Sequence, residues 1–490
     1  MSAVLADPEV TRRTVRLTEA VEISPKADRS VLTDTTQVSF VPMAAVGAGN
    51  GQIDTSTIRP YAEVKKGYTH FRDGDVLFAK ITPCMENGKM AVAHGLHNGA
   101  GLGSTEFHVL RPRAGVDSRY VYHFVSSAKF RNEAAHHMTG AVGQKRVPVS
   151  FLEQSEIPLP SLHEQRRIVA EIEKQFSRLD QAVASLQRVK AQLKRYKASV
   201  LKAAVEGRLV ETEAARARCE GRGFETGAEL AAQGSSNAAG GRKPGAALPY
   251  ETGEQLLKRI LETRRSQWQG KGKYKEPAAP DTAGLPELPE GWVHATADQL
   301  TDENRAITYG VIKLGEPADG GVPVLRSSDV RQLRIDLDNV KRISPEIAEN
   351  YRRTFLKGGE VVMTVRGTLG GIAVVPPQCI GFNVSREVAV LALLDSRMAQ
   401  LVAVFVASAP LENWLMRRAK GIAYTGINIE TLKALPIPVP PIVEQHRIVA
   451  EADRRLSIVR EVEVEVDANL KRAQTLRQAV LARAFAGASS

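Results

Sequence analysis

The chain has 490 residues, of which 43% are hydrophobic and 25% charged, with a net charge of +11. That composition predicts three or four globular units with real cores and excludes a fibrous or wholly disordered polymer. No apolar run approaches the ~20 residues that cross a bilayer, and the opening MSAVLADPEVTRRT lacks the apolar stretch of a signal peptide, so a cytoplasmic protein without a membrane partner is expected. Cys84, Cys219 and Cys379 stand apart with no zinc-like spacing, which predicts neither metal nor disulfide. The excess of 66 Lys and Arg over 55 acidic residues hints at a phosphate-bearing partner.

In chain order, residues 1–156 read as a strand-rich domain. FVPMAAV (40–46), GDVLFAKI (74–81) and TEFHVLRP (105–112) are β-branched and aromatic runs behind turn residues, and YVYHFVSSAKFRNEA (120–134) is helical. The glycines of Gly47-Ala48-Gly49-Asn50-Gly51 and Gly99-Ala100-Gly101-Leu102-Gly103 precede no helical pattern, so they do not make a nucleotide cradle. His136 and His137 are adjacent and point different ways on a helix.

Residues 157–207 form the first of two related helices. IPLPSLHEQRRIVAE (157–171) recurs as IPVPPIVEQHRIVAE (437–451), identical at ten of fifteen positions with an offset of 280. The offset then continues without a gap, placing Val200, Leu201, Ala204 and Gly207 opposite Val480, Leu481, Ala484 and Gly487. A two-copy repeat of so long a period predicts a duplicated molecule with an approximate two-fold axis.

Alternating four- and three-residue steps run through Ile168, Ile172, Gln175, Leu179, Ala182, Leu186, Val189, Leu193, Tyr196 and Val200. The matching row is Ile448, Ala452, Arg455, Val459, Val462, Val466, Asn469, Ala473, Leu476 and Val480, and both are coiled-coil seams. The two helices are therefore expected to pair antiparallel. Ser161 with Glu164 fits a capping box, Pro441 fits a first helical position, and Gly207 and Gly487 fit the stops.

Residues 208–284, rich in Ala, Gly and charge, read as a partly disordered linker with a short helix near 253–268. A second strand-rich domain covers 285–436. Its VPVLRSSDV (322–330), GGEVVMTV (358–365) and SREVAVLAL (385–393) echo the three runs of the first domain in order, before a helical stretch at 397–416. The second repeated helix takes 437–487. No adenine-methylating loop, Walker lysine loop or Ser/His/Asp set is present in the sequence, so no catalysis by this chain alone is expected.

The helices opening on EQRRIVAE and EQHRIVAE, the GRLV exit (207–210), the ELPEGW segment (287–292) and the strands GDVLFAK, STEFHVLRP and VPVLRSSDV together resemble the specificity subunit of a Type I restriction-modification system. No counterpart of LPEGW is visible near the start of the chain. The resemblance implies an α+β fold in which an antiparallel two-helix coil separates two target-recognition domains. It further implies a non-catalytic subunit that reads a bipartite, asymmetric site in double-stranded DNA with an unspecific spacer.

Its implied partners are two methyltransferase subunits and up to two restriction subunits. S-adenosylmethionine for adenine-N6 methylation, and ATP and Mg for restriction, belong to those partners, and this chain is expected to bind no cofactor. The alternatives are a self-contained DNA methyltransferase or nuclease with a cryptic site, and a coiled-coil adaptor between proteins.

Candidate DNA contacts in domain one are Lys80, Thr82 and Lys89 at or after the GDVLFAK strand, with Gln144, Lys145 and Arg146 before the helix. In domain two they are Arg326, Ser327, Ser328, Arg366, Thr368, Tyr424 and Thr425. Arg and Lys suit guanine or phosphate, and Gln suits adenine. Glu164, Gln165 and Arg167, repeated as Glu444, Gln445 and Arg447, are polar yet unchanged between the copies, and are expected to hold the domains or to form a subunit interface.

Overall fold

The computed structural model describes residues 13–26, 32–141, 143–220, 250–270, 272–283, 285–419 and 426–486. The chain divides into two units, Met1–Val189 with Glu465–Ser490, and Lys190–Val464.

Unit one opens with strand β1 (Thr14–Arg16), the turn of helix α1 (Leu17–Ala20) and β2 (Val21–Ile23). Then come β3 (Gln37–Val41), β4 (Ile58–Pro60), α2 (Tyr61–Val64), β5 (Thr69–Arg72), β6 (Val76–Ala79), β7 (Met90–Val92), β8 (Ala100–Gly103) and β9 (Phe107–Pro112). They build two four-stranded sheets, ordered β2-β9-β6-β7 and β4-β3-β8-β5. Among the described strands of these two sheets, β3 and β8 pair in parallel and the other neighbours antiparallel. Helices α3 (Ser118–Val125), α4 (Ala128–His136) and α5 (Val149–Gln154) follow, then β10 (Glu156–Pro158) and the long helix α6 (Leu162–Val205). The chain breaks between α3 and α4 at Ser127, whose hydroxyl accepts from the Phe130 amide at 3.3 Å, so one helical stretch of sequence becomes two helices.

Unit two repeats the plan. The segment after α6 carries α7 (Glu213–Glu220) and α8 (Gly253–Gln267), the latter opened by a capping box of Thr252 and Gln255. Strand β11 (Val293–Thr296), α9 (Ala297–Leu300) and β12 (Thr308–Tyr309) lead into β13 (Val322–Leu325) and the ribbon β14 (Val330–Arg331) and β15 (Arg334–Ile335). After them come β16 (Lys341–Ile343), α10 (Pro345–Glu349), β17 (Val361–Thr364), β18 (Ile372–Val374), β19 (Asn383–Val384) and β20 (Val388–Leu391). The sheets are ordered β12-β20-β17-β18 and β16-β13-β19, again with one parallel pair, β13 and β19. Helices α11 (Ala399–Val406), α12 (Ala409–Arg418) and α13 (Ile429–Lys433), strand β21 (Pro436–Val439) and the long helix α14 (Ile442–Phe485) complete the chain. Each central strand, β6 and β17, is buried along its whole length, which is why both read as continuous apolar runs rather than alternating ones.

A two-strand clasp joins the start of each domain to the approach of its long helix. Val15 faces Ile157 across β1 and β10, and Ala295 faces Ile437 across β11 and β21, each residue displaced by the same 280 positions. The strand that follows LPEGW in the second half therefore does have a counterpart, in Thr14–Arg16. Its sequence, TVR against VHAT, gives little sign of it.

The long helices meet within each unit in opposite directions. In unit one Ile168, Ile172 and Phe176 of α6 share a core with Leu481 and Ala484 of α14, and Phe485 packs against Tyr120 and Phe124. In unit two the end of α6, at Val200, Leu201 and Ala204, joins a core with Ile448, Ala452 and Leu456. Gly207 closes α6 with a positive φ of 65° while the Arg208 amide reaches the Ala203 carbonyl at 2.8 Å, the left-handed stop expected there. Gly487 lies outside the described residues.

Two expectations need correction. Most of the seam faces inward as the heptads predict, but at two places on each helix the next residue takes the seam position: Ala182, Tyr196, Val462 and Leu476 are exposed, and Val183, Lys197, Glu463 and Arg477 are half-buried in their place. At Lys197, Glu463 and Arg477 the stems of long charged side chains cover the apolar surface while their charged ends reach outward. Arg477 shows how, lying 4.0 Å over the Phe176 ring and donating to Asp180 at 2.7 Å. The capping box at Ser161 is half-formed: Ser161 accepts from the Glu164 amide at 3.3 Å, but the Glu164 carboxylate turns to Arg167. In the segment after α6, Glu213, Ala214 and Ala217 of α7 are buried, as are Leu256, Leu257 and Ile260 of α8.

Among the described residues no single helix is long and apolar enough to cross a membrane. One helix pair bent by 78°, Ser396–Val406 with Ala409–Arg418, passes the same test, but almost all of α11 is buried in the core of its own domain. No group of three or more His, Cys, Asp or Glu among the described residues is arranged to hold a metal ion.

Candidate nucleic-acid interface

Both domains contain the same junction, built where a central strand ends, its neighbour begins and the chain approaches the helix before the clasp. In unit one the Lys80 amide donates to the Glu106 carbonyl at 2.9 Å, and the Val147 amide to the Lys80 carbonyl at 2.8 Å. In unit two the Val365 amide donates to Glu387 at 2.8 Å, and Ile427 to Val365 at 2.9 Å. The junction thus gathers three segments that are remote in sequence.

In unit one it collects all six candidates. Lys80 and Thr82 follow β6, and the Thr82 amide donates to the Lys145 carbonyl at 3.0 Å. Ile81 is bridged to Arg146. Gln144 and Lys145 are exposed. Arg146 makes a two-pronged pair with Glu106, at 2.9 and 2.8 Å, and that hydrogen-bonded guanidinium holds the Glu106 carboxyl below its usual range. Lys89 stands across from β6, its carbonyl accepting from the Ala79 amide at 3.2 Å, but its ammonium is spent on the Met43 carbonyl at 3.0 Å.

In unit two the candidates divide. Arg366 and Thr368 are exposed on the β17–β18 turn, where Gly367 takes a positive φ of 72°. Ser327 joins them through Glu387, whose carboxylate accepts from its hydroxyl at 2.6 Å. Arg326 instead makes a two-pronged pair with Asp329 at 3.0 and 2.9 Å and reaches the Asn339 carbonyl, and Ser328 donates to the same Asp329. Those two side chains tie a turn together. Tyr424 and Thr425 lie outside the described residues.

Beside this junction a groove of about 560 Å³ is lined by Arg352, Arg353, Arg366 and Arg386 with Tyr309 and Tyr351. Glu349, its one acidic lining residue, pairs with Arg352. A concave surface with this sign of charge raises the local concentration of polyanions. Arg353, Arg386, Glu387, Tyr309 and, in unit one, Glu106 are absent from the sequence-based candidates. Arg386, Glu387 and Glu106 could have been found there, because they open the strand runs SREVAVLAL and TEFHVLRP that the two domains share. Arg353 and Tyr309 carry no comparable signal.

Of the six residues repeated at the long-helix starts, Glu164, Gln165, Glu444 and Gln445 are buried, and Arg167 and Arg447 are half-buried. Gln165 is buried, donating to the Pro160 and Gly115 carbonyls at 2.9 and 3.2 Å and accepting from the Asp117 amide at 2.9 Å. Gln445 is buried too, donating to Pro440 at 2.8 Å. Glu164 pairs with Arg167 through both oxygens at 2.8 Å. Glu444 is fully buried, accepting from Trp292 Nε1 and from the Glu213 amide, each at 3.0 Å, and burial pushes its carboxyl above the usual range. Arg447 pairs with Glu213 and donates to the Glu211 carbonyl at 3.1 Å. Gln165, Glu444 and Gln445 therefore fasten helix starts to their own units instead of facing a partner subunit.

Two topologically matched domains, each ending in a long helix and each with a basic junction, define a duplicated recognition protein. The model of the Type I restriction modification DNA specificity domain matches residues 9–195 and 311–454, and the chain belongs to that family. It is thus a DNA sequence-recognition subunit of Type I restriction-modification and not an enzyme in itself. The EcoAI specificity subunit of Escherichia coli is 28% identical over 466 residues, covering 89% of this chain and 76% of the relative. The EcoEI specificity subunit of the same organism is 42% identical over 168 residues, covering 34% and 28%. A solved chain from a study of complex assembly and conformational transition of the type I R-M system has the same fold, with a TM-score of 0.61 at 20% identity over 96% of this chain and 97% of the other.

Proposed function

We propose that the chain reads a bipartite, asymmetric DNA site, with residues 1–156 contacting one half and residues 285–436 the other. The long helices of 157–207 and 437–487 set the unspecific spacer. The observation that carries this reading is the duplicated junction, built from the same three segments in each domain and basic in both. In domain one the proposed contacts are Lys80, Thr82, Lys89, Gln144, Lys145 and Arg146. In domain two they are Ser327, Arg366, Thr368, Tyr424 and Thr425.

The chain directs two methyltransferase subunits that carry S-adenosylmethionine and methylate adenine at N6. Up to two restriction subunits add ATP- and Mg-dependent cleavage. Methylating a base in duplex DNA requires taking it out of the stack, and a subunit that only reads neighbouring bases leaves that work to its partners. Of the six repeated residues at the helix starts, Glu164, Gln165, Glu444 and Gln445 are buried and hold their own domains, while the half-buried Arg167 and Arg447 are the part of the motif that faces the partner subunits. In the test, the purified chain neither binds S-adenosylmethionine nor methylates DNA, and gains both with a modification subunit. Methyl transfer by the isolated chain would contradict the reading.

A further inference from the structure

We propose that the arginine groove of unit two is where its half-site is held, with Arg366 reading a guanine and Arg353 and Arg386 clamping phosphates. This deepens the DNA-recognition reading and rests on it.

The three arginines come from three elements. Arg353 sits in the turn Arg352–Thr354, pinned by a 2.6 Å hydrogen bond between Thr354 Oγ1 and Asn383 Oδ1. Arg386 leads into β20, its amide donating to the Val311 carbonyl at 2.8 Å. Arg366 follows β17, and its amide shares the Glu387 carbonyl with Val365.

What separates them from their neighbours is that they have no ion-pair partner among the described residues. Arg305, Arg326, Arg397 and Arg447 of the same unit are each held by a carboxylate. Uncompensated guanidinium groups converging on one concavity repel one another, and an anion with several charged groups relieves that repulsion. A chain of phosphates fits this better than a single small anion, because the charges line a groove of about 560 Å³ instead of converging on one point.

Arg366 differs from the other two. Its guanidinium lies 5.5 Å from the centre of the Tyr309 ring. Tyr309 is itself fixed, its hydroxyl donating to the Ile427 carbonyl at 2.7 Å. A guanidinium held over a pinned ring presents its planar fork in a set direction, the geometry needed for two hydrogen bonds to guanine O6 and N7. The backbone lining the groove is equally fixed: a Cβ at Gly310 would fall 1.7 Å from the Val384 carbonyl oxygen, so the chain there approaches as closely as only glycine permits.

The experiment uses the complete complex of this chain with its modification subunits. Methylated positions are mapped genome-wide, and binding to the mapped site is measured across salt concentrations, for wild type, R366A, R366K and the double variant R353A/R386A. Thermal unfolding of each variant checks that the groove is intact. With R366A and R366K, discrimination at one guanine of a single half-site should fall roughly ten- to hundred-fold, because lysine keeps the charge but not the fork. With the double variant all sequences should weaken together, and the slope of log K against log salt should become shallower by about 1.8.

An unchanged motif in R366A and R366K, or an unchanged salt slope in the double variant, overturns the assignment. Loss of specificity in both half-sites does so too. If the wild-type complex methylates no defined sequence at all, the underlying DNA-recognition reading fails instead.

Discussion

Glu164 and Glu444 are the same residue in two copies of one motif, yet they do different work. Glu444 is buried and receives Trp292 Nε1 and the Glu213 amide, whereas Glu164 pairs with Arg167, a side chain 35% exposed. Removing an acceptor from two buried donors costs about 1–3 kcal/mol, and removing the carboxylate from a pair whose arginine can turn to solvent costs about 0–1. E444A should therefore lower the urea midpoint of the unit-two transition clearly, and E164A should leave unit one nearly unmoved.

His123 gives a second test at this scale. It is buried against Phe176, with Glu173 at 3.9 Å and Arg119 and Arg477 nearby, and burial holds its imidazole below the ordinary histidine range. The neutral ring is thus the form that folds. Its contribution is complete above the unfolded value of ~6.5 and declines as pH falls through that value toward the folded one, where only the unfolded chain takes up the proton. Stability measured by urea titration from pH 7 to pH 5 should fall, and the His123→Phe variant should show a shallower fall.

At the scale of elements, the long helices were the most legible part of the sequence and still misled in one respect. A repeat identical at ten of fifteen positions identifies helix and partner, but a heptad assigns every seam position by counting. Val459, Val466 and Ala473 are buried as counted, whereas Val462 and Leu476 face solvent and Leu481, one past the counted position, is buried. V462Q and L476Q should change stability by less than about 0.5 kcal/mol, and L481A should cost about 2–5, as read from denaturant midpoints.

The strand-rich domains were legible as runs but not as sheets, because pairing between β3 and β8 or β13 and β19 is parallel and non-local. The β1 clasp strand, only three residues long, has no periodicity to read. The candidate contacts divide in the same way. Candidates at strand ends were legible in the runs, while Arg353 and Tyr309 became visible only when folding brought them beside Arg366.

The coil also makes a claim about length. Matched insertions of seven residues after Val189 and Val466 add about 10 Å along the helices, close to 3 bp of DNA, and turn one half-site by roughly 100° about the duplex axis. The spacer in the methylation map should then lengthen by a few base pairs, or activity should vanish through lost phase. Undiminished methylation at the original site would mean that the helices are not the ruler.

For the whole molecule, duplication is the organising fact. The clasp, the order of the β6 or β17 sheet, the helix pair after β9 or β20, and the junction all recur between units whose surface residues have diverged, while the second sheet has four strands in unit one and three in unit two. Divergence on a repeated frame lets each half acquire its own sequence preference while the frame stays constant. The unit-two junction has a groove bearing arginines without ion-pair partners among the described residues, and the unit-one junction has Arg146 neutralised by Glu106, so the two halves should prefer different DNA. The most direct measurement is a genome-wide map of methylated adenines in cells carrying this chain and its partner subunits, before and after residues 285–436 are exchanged for those of a relative with another preference. The expected result is a two-part motif in which one half and the spacer persist while the other half changes. A map in which both halves change, or neither does, would contradict recognition of one half-site by each domain.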